Sequence, residues 1–345
     1  MSILALETSC DDTCAAVVDA DGCIRANVIS SQGVHDSFGG VVPEVASRHH
    51  LELVNLVVDQ AVSEAGVTLE EIDLVAATQG PGLVGALLVG LSTAKAIAAA
   101  RELPFAAVDH LQGHVAANFL NTGSERFEPP FLCLIASGGH TLLARVQELD
   151  GFDVLGRTLD DAAGEAFDKG ARMLGLGYPG GAALERLARG GDAEAFAFPG
   201  SRRDRARGGW GSARQSFAQG LDFSFAGVKT ALLYQLRELS PGDASGRADD
   251  LAASYQAAIV DSLILRVERA LEQTGLERLA VGGGVAANGE LRRRLRGLGA
   301  SVHVPARALC TDNAAMIASA ARFGSQLPYP QYLALDAYAT GERPR

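Results

Sequence analysis

The chain has 345 residues, 48% of them hydrophobic and 21% charged, enough to bury a large core in one large or two medium domains and too apolar for disorder. Its 30 basic and 41 acidic side chains leave a net charge of −11, which excludes a strongly basic nucleic-acid binder but not a local contact with RNA. Five cysteines form no Cys-x-x-Cys pair, which fits a reducing compartment, so a cytoplasmic protein is expected.

The apolar run Ile3–Glu7 follows the first residues with no basic segment before it, so no secretory signal is expected. A polar turn, Thr8–Thr13, a second run, Cys14–Val18, the hairpin signal Asp21-Gly22 and a third run, Ile24–Ile29, predict a three-stranded meander. Leu51, Val54, Val57, Val58, Ala61 and Val62 then fall at helical spacing. Strand Leu74–Ala77, helix Leu83–Ala100, strand Phe105–Val108 and helix Leu111–Leu120 follow. The helix Leu83–Ala100 carries Ser92, Thr93 and Lys95, which suits a buried helix and not a membrane span. No membrane contact is expected.

The second half repeats the order. Phe131–Ala136, the turn Ser137-Gly138-Gly139-His140, Leu142–Val146, Asp150-Gly151 and Val154–Leu159 make another meander. Helix Leu251–Leu271, strand Leu279–Val281, helix Leu291–Arg296, strand Val302–Val304 and helix Asn313–Arg322 complete it. Weakly patterned residues between Gly175 and Asp250 read as an insertion, helical in parts, with breaks at Gly208-Gly209 and Pro241-Gly242. A βββαβαβα unit occurring twice predicts an α/β protein of the actin-like ATPase (ASKHA) fold, two duplicated lobes around a nucleotide cleft. The expected divisions are an N-terminal lobe over 1–125, a C-terminal lobe over 126–328 with its insertion at about 175–250, and a tail over 329–345.

In this fold the chemistry sits at the carboxyl ends of the strands. The strand ending at Val108 leads into Asp109-His110-Leu111-Gln112-Gly113-His114, and the equivalent strand of the second half leads through Cys310-Thr311 into Asp312-Asn313. Histidines at i and i+4 share a helical face and can share one metal ion, with a carboxylate as third ligand. The duplication therefore predicts a metal site of His110, His114 and Asp312, with Asp312 reaching it from the other half across the cleft. The donor set alone accepts iron, zinc or manganese. No Glu follows His110, so the general base of a His-Glu-x-x-His protease is missing and peptide hydrolysis is not expected.

Three Gly-rich or polar turns are candidate phosphate contacts: Ser137–His140, where successive backbone N–H groups can form an anion nest; Gly282-Gly283-Gly284 leading to Asn288 at a helix start; and Glu7–Thr13. Asn288 equally reads as an N-cap. Gly80-Pro81-Gly82-Leu83-Val84-Gly85 imitates a dinucleotide fingerprint, but Pro81 occupies the tight turn and a meander precedes the unit, so an NAD-linked enzyme is not expected. Arginine clusters at 202, 203, 205 and 207 and at 292, 293, 294 and 296 are candidate phosphate-backbone contacts or solvated faces. Lysine occurs only at 95, 169 and 229, which predicts places where the shape of Lys matters.

The stretches Glu7–Thr13 (ETSCDDT), Gly39–His49 (GGVVPEVASRH), Gly80–Gly85 (GPGLVG), His110–His114 (HLQGH), Ser137–Thr141 (SGGHT), Asp160–Lys169 (DDAAGEAFDK), Tyr178–Gly181 (YPGG), Phe223–Thr230 (FSFAGVKT), Gly282–Asn288 (GGGVAAN) and Cys310–Asn313 (CTDN) together resemble the TsaD family, the bacterial tRNA N6-adenosine threonylcarbamoyltransferases. The resemblance spans essentially the whole chain. Ala182 stands where the family commonly has Pro and Cys14 where Gly is frequent; neither is a proposed ligand. It implies an acyltransferase that moves the threonylcarbamoyl group of threonylcarbamoyl-adenylate to N6 of adenosine 37 of tRNAs reading codons that begin with A, releasing AMP. It implies one divalent metal per subunit on His110, His114 and Asp312, usually iron(II) with zinc as an alternative, and an adenylate held by Ile135, Ala136, Ser137, Gly138, Gly139, Asp168, Gly181, Glu185 and Asn288. Asp11 and Asp12 are the catalytic candidates for handling the proton or the metal, His140 is a further polar contributor to catalysis, and TsaB-like and TsaE-like proteins are the implied partners. A small-molecule kinase of the same fold is the alternative; it needs a catalytic Asp at the acceptor and no His pair.

Overall fold

The computed structural model describes residues 1–121, 127–200 and 220–339. The arginines at 202 to 207 and the Gly208-Gly209 break lie outside the described residues. Two compact units make up the chain: Met1–Pro129 with Gln147–Phe152 and Pro305–Arg345, and Pro130–Val146 with Asp153–Val304.

The first unit is built on a five-stranded sheet in the order β3-β2-β1-β4-β5, formed by β1 (Ser2–Glu7), β2 (Asp12–Asp19), β3 (Ile24–Ser31), β4 (Leu74–Gly80) and β5 (Phe105–Asp109). β1 runs antiparallel to β2 and parallel to β4. A central strand covered on both faces needs a continuous apolar run instead of alternation, and Ile3, Leu4, Ala5 and Leu6 are fully buried. Helices α1 (Pro43–Ala65) and α2 (Val84–Ala100) join the sheet in one core, where Val54, Val57, Val58 and Ala61 meet Leu4, Leu6 and Ala94. A short helix, α3 (His110–Ala116), follows β5 and ends in a 3-10 turn at Ala117–Phe119, earlier than the expected Leu120.

The second unit repeats the design. β6 (Phe131–Ala136), β7 (Thr141–Glu148), β8 (Gly151–Arg157), β9 (Arg278–Gly282) and β10 (Ser301–His303) lie in the order β8-β7-β6-β9-β10. β6 is antiparallel to β7 and parallel to β9, as β1 is to β2 and β4. The duplication expected from the sequence is therefore present strand for strand. Helix α4 (Ala163–Met173) was not legible as an element, because its small and charged residues carry few large apolar marks. The expected insertion contributes α5 (Gly181–Ala188), α6 (Ala226–Glu238) and α7 (Pro241–Gly246), ahead of the long α8 (Ala248–Thr274) and the short α9 (Gly289–Leu295).

The last helix, α10 (Ala314–Ala321), departs from the expected lobe boundary. All eight of its residues are buried, so it needs apolar surface on every side, and it takes that surface in the first unit. There the Ser319 hydroxyl donates to the Ala116 carbonyl at 2.7 Å and Ala315 N–H donates to Asn27 Oδ1 at 3.3 Å. Residues from Pro305 onward consequently group with the first unit, whereas the sequence pattern ran the second lobe to 328. Among the described residues, no helix is long and apolar enough to cross a membrane.

Candidate functional site

Asp109 closes β5 and starts α3. Its Oδ1 accepts from Leu111 N–H at 2.9 Å and Gln112 N–H at 3.1 Å, the N-cap that satisfies the first free amides of the helix. Capping fixes the face that His110 and His114 present one turn apart, with ring centroids 4.8 Å apart and nearly edge-on. Asn313 caps α10 in the same way through Met316 N–H, which sets Asp312 just outside that helix. The Asp312 Oδ1 lies 3.6 Å from His110 Nε2 and 3.3 Å from His114 Nε2. The three residues predicted from sequence are thus together, all within the first unit; Asp312 arrives with the segment that packs there, not from the second lobe.

The arrangement fits a cation. One donor atom from each of the three residues falls within 4.8 Å of the others. Both ring nitrogens of His114 are buried without a hydrogen-bond partner, since the 3.3 Å approach of Asp312 is not aligned for a hydrogen bond. A fully buried imidazole with neither nitrogen satisfied is costly unless a metal ion takes one of them. Burial opposes the charged form of His110, but the carboxylates of Asp312 and Glu7 outweigh it and push its pKa up to about 9. The His-His-Asp group is consistent with a divalent metal ion.

Glu7 is the partner that sequence reading did not assign. It ends β1 with 1% exposure, and its Oε2 lies 3.0 Å from His110 Nδ1. The signal was present as an acid closing an otherwise apolar buried strand. In the next turn, Asp12 is held up at about 7, first by burial and then, against a hydrogen bond from Ser31, by the nearby Asp312, Asp11 and Glu7. Burial and the neighbouring acids, Asp11, Asp12 and Asp312 among them, push the Cys10 and Cys14 thiols well up. His50 anchors this turn: Nε2–H donates to the Cys10 carbonyl at 3.0 Å and Nδ1 accepts from the Thr13 hydroxyl at 2.8 Å. Burial lowers its pKa, which keeps it neutral for that task. The Gly80–Gly85 stretch is not an open dinucleotide loop. A side chain at Gly82 would lie 2.6 Å from the Ser9 carbonyl oxygen, and Gly82 N–H donates to Ala339 O at 3.0 Å.

The second unit holds the other predicted residues. Ile135 and Ala136 are buried in β6 and pair with Leu142 and Thr141 of β7. The turn beyond them is closed by Ser137 N–H donating to His140 O at 2.8 Å and His140 N–H donating to Ser137 Oγ at 3.1 Å. A Cβ on Gly138 or Gly139 would meet nothing within 4 Å, so one side of the turn is open. Its other side is gripped by two glycines. A Cβ on Gly164 would lie 2.6 Å from Ser137 O, and one on Gly283, at φ +85°, 2.3 Å from Ala136 O. Only glycine permits both that conformation and that approach.

Asp168 Oδ1 accepts from Gly180 N–H at 2.8 Å and Gly181 N–H at 3.1 Å, and Glu185 Oε1 accepts from Gly289 N–H at 3.2 Å. Asn288 caps α9 through Leu291 N–H at 2.9 Å while its Nδ2 donates to Gln256 at 2.8 Å. These four residues therefore already have structural tasks, and the N-cap reading of Asn288 is realised. Two of the three lysines converge as well: Lys169 and Lys229 approach the two oxygens of Asp161 at 2.9 and 2.7 Å. Two compact ammonium groups fit one carboxylate where two planar guanidinium forks crowd. In the arginine cluster of α9, Arg294 pairs with Asp261 at 2.8 Å and Arg292 donates to Ala286 O at 2.6 Å, so neither is simply a solvated charge.

Comparison with known proteins gives these residues a context. The chain is 47% identical over its full length to the tRNA N6-adenosine threonylcarbamoyltransferase of Pelobacter propionicus, covering 98% of that protein. It is 50% identical to the protein of the same name from Salinibacter ruber over 93% of each. Among solved structures it resembles component A of the (R)-2-hydroxyglutaryl-CoA dehydratase of Acidaminococcus fermentans, with a TM-score of 0.54, 14% identity and coverage of 96% and 99% of the two chains; that likeness bears on the fold alone, which is the actin-like ATPase fold. Residues 23–319 match the family described as TsaD, tRNA N6-adenosine threonylcarbamoyltransferase, and the chain belongs to that family.

Proposed function

We propose that this chain transfers the threonylcarbamoyl group of threonylcarbamoyl-adenylate to N6 of adenosine 37 in tRNAs that read codons beginning with A. The observation that carries the reading is the grouping of the buried His110 and His114 with the half-buried Asp312 in a member of the TsaD family. In the reaction the N6 amine attacks the carbamoyl carbon, a C–N bond forms, the C–O bond to phosphate breaks, and AMP leaves with the electron pair. When bound, a divalent ion supplies Lewis acidity toward the carbonyl oxygen. The protein's own residues hold the reactants and move the proton. His110, His114 and Asp312 would hold the ion, iron(II) by family resemblance, with zinc accepting the same donors. The open backbone of Gly138 and Gly139, with Ser137, Ile135 and Ala136 behind it, would cradle the adenylate; Asp168, Gly181, Glu185 and Asn288 shape that cradle or contact the nucleotide. Asp11, Asp12 and His140 are the proposed proton-handling groups, and a carboxyl held at about 7 suits Asp12 to accept a proton near neutral pH.

The net charge of −11 supports a division of labour in which tRNA is gripped together with TsaB-like and TsaE-like partners in the cytoplasm. Tight binding of tRNA by the isolated chain at physiological salt would overturn that part. A kinase reading is not favoured, because the relatives bear the transferase name throughout. The decisive experiment supplies the purified chain with threonylcarbamoyl-adenylate, unmodified tRNA and the partner proteins, and follows the nucleosides by mass spectrometry. Appearance of the modified adenosine supports the reading; its absence, with AMP release equal to the uncatalysed rate, ends it.

A further inference from the structure

Glu7 is a carboxylate with 1% exposure at the end of an apolar strand, a costly position unless its oxygens are bonded. They are. Ser9 N–H donates to Oε1 at 2.5 Å, and Oε2 takes both the Thr78 hydroxyl at 2.5 Å and His110 Nδ1 at 3.0 Å. A glutamine would pass the strand end at lower desolvation cost, but its amide N–H cannot accept from a hydroxyl and an imidazole at once. Only a carboxylate meets all three donors. The two histidines are also inequivalent, since Nδ1 of His114 is buried with no partner.

We propose that Glu7 is the positioning residue of the metal centre: by accepting the Nδ1 proton of His110 it fixes the tautomer that turns Nε2 toward the ion and strengthens that nitrogen as a donor. His110 is then the anchored ligand, and His114 is held by packing alone. This inference rests on the metal reading of the triad.

The test measures Zn²⁺ affinity by competition with a chromophoric chelator for the wild-type chain, for Glu7→Gln and for the double variant His110→Ala with His114→Ala, alongside thermal unfolding of each without metal. Glu7→Gln is expected to bind Zn²⁺ roughly 10 to 100-fold more weakly, with its far-UV spectrum unchanged. A second readout needs only the wild type: in the Zn²⁺-loaded protein, long-range ¹H–¹⁵N spectra are expected to show His110 ligating through Nε2 and keeping its Nδ1 proton. If Glu7→Gln does not fold, that spectrum decides. Wild-type affinity in Glu7→Gln, or ligation of His110 through Nδ1, overturns the role of Glu7. Undiminished affinity in the double histidine variant overturns the metal reading itself, and the two failures are thereby told apart.

Discussion

The turn between β1 and β2 and the turn between β6 and β7 occupy the same place in two sheets of the same strand order, yet they are built from opposite materials. The first, Glu7 to Asp12, is rich in carboxylates: burial and the neighbouring acids hold Asp12 up at about 7, while Glu7 faces His110. The second, Ser137 to His140, exposes bare backbone where two glycines face open space. Topology places a strand-end loop; side chains decide whether it serves a cation or an anion. Duplication followed by divergence at this one corner gives a single chain the two ends that the proposed function needs, one for a cation and one for a phosphate.

The contrast breaks most sharply at the histidines. Replacing His110 and His114 with alanine is expected to abolish metal binding and lower transfer roughly a thousandfold, which is the several kcal/mol that Lewis-acid stabilisation supplies, with the circular dichroism spectrum intact. Full activity in metal-free double variant would remove the cation from the comparison. At the turn proposed to hold phosphate, Gly283→Ala puts a methyl group 2.3 Å from Ala136 O at φ +85°. We expect it to cost at least about 1 to 3 kcal/mol in denaturant unfolding and to raise the KM for the adenylate; an unchanged KM would show that the grip on Ser137 does not matter for binding.

Asn288→Ala removes the cap of α9 and the bond to Gln256. A loss of about 1 kcal/mol is expected, together with a higher adenylate KM. Loss of stability with unchanged KM would assign Asn288 to the cap alone. The smallest effect is at Asp161. Burial works against its charge, but Lys229 and Lys169 outweigh that and hold its carboxyl below the ordinary value of 3.8. Its contribution to stability is therefore present above pH 3.8 and lost as the pH falls through the lowered pKa. Asp161→Asn should flatten the acid limb of the stability profile by about 1 kcal/mol, and an identical acid limb would mean the lysine pair contributes nothing.

Most of the fold was legible because its central strands are unbroken apolar runs and its long helices repeat apolar residues at helical spacing. What escaped was whatever depends on a distant partner. Helix α4 has too few large apolar residues to mark a face. Glu7 could be read as buried, but nothing local says that His110 is what it faces. The triad was reached through an equivalence between halves; the three residues do lie together, but Asp312 groups with the first unit, because periodicity does not show that α10 is enclosed on all sides. Asn288 and Asp168, proposed adenylate contacts, also cap a helix and accept from the Gly180 and Gly181 amides, tasks that a family resemblance does not reveal.

The placement of α10 also bears on the order in which the protein is made. The second unit is nearly contiguous in the chain, whereas the first awaits the segment from Pro305 onward. During synthesis His110 and His114 precede the second unit, but Asp312 and the helix that packs on α3 follow the whole of it. A ribosome-bound chain therefore carries the two histidines without the Asp312 carboxylate until the second unit has been made, and the proposed metal site cannot close before then.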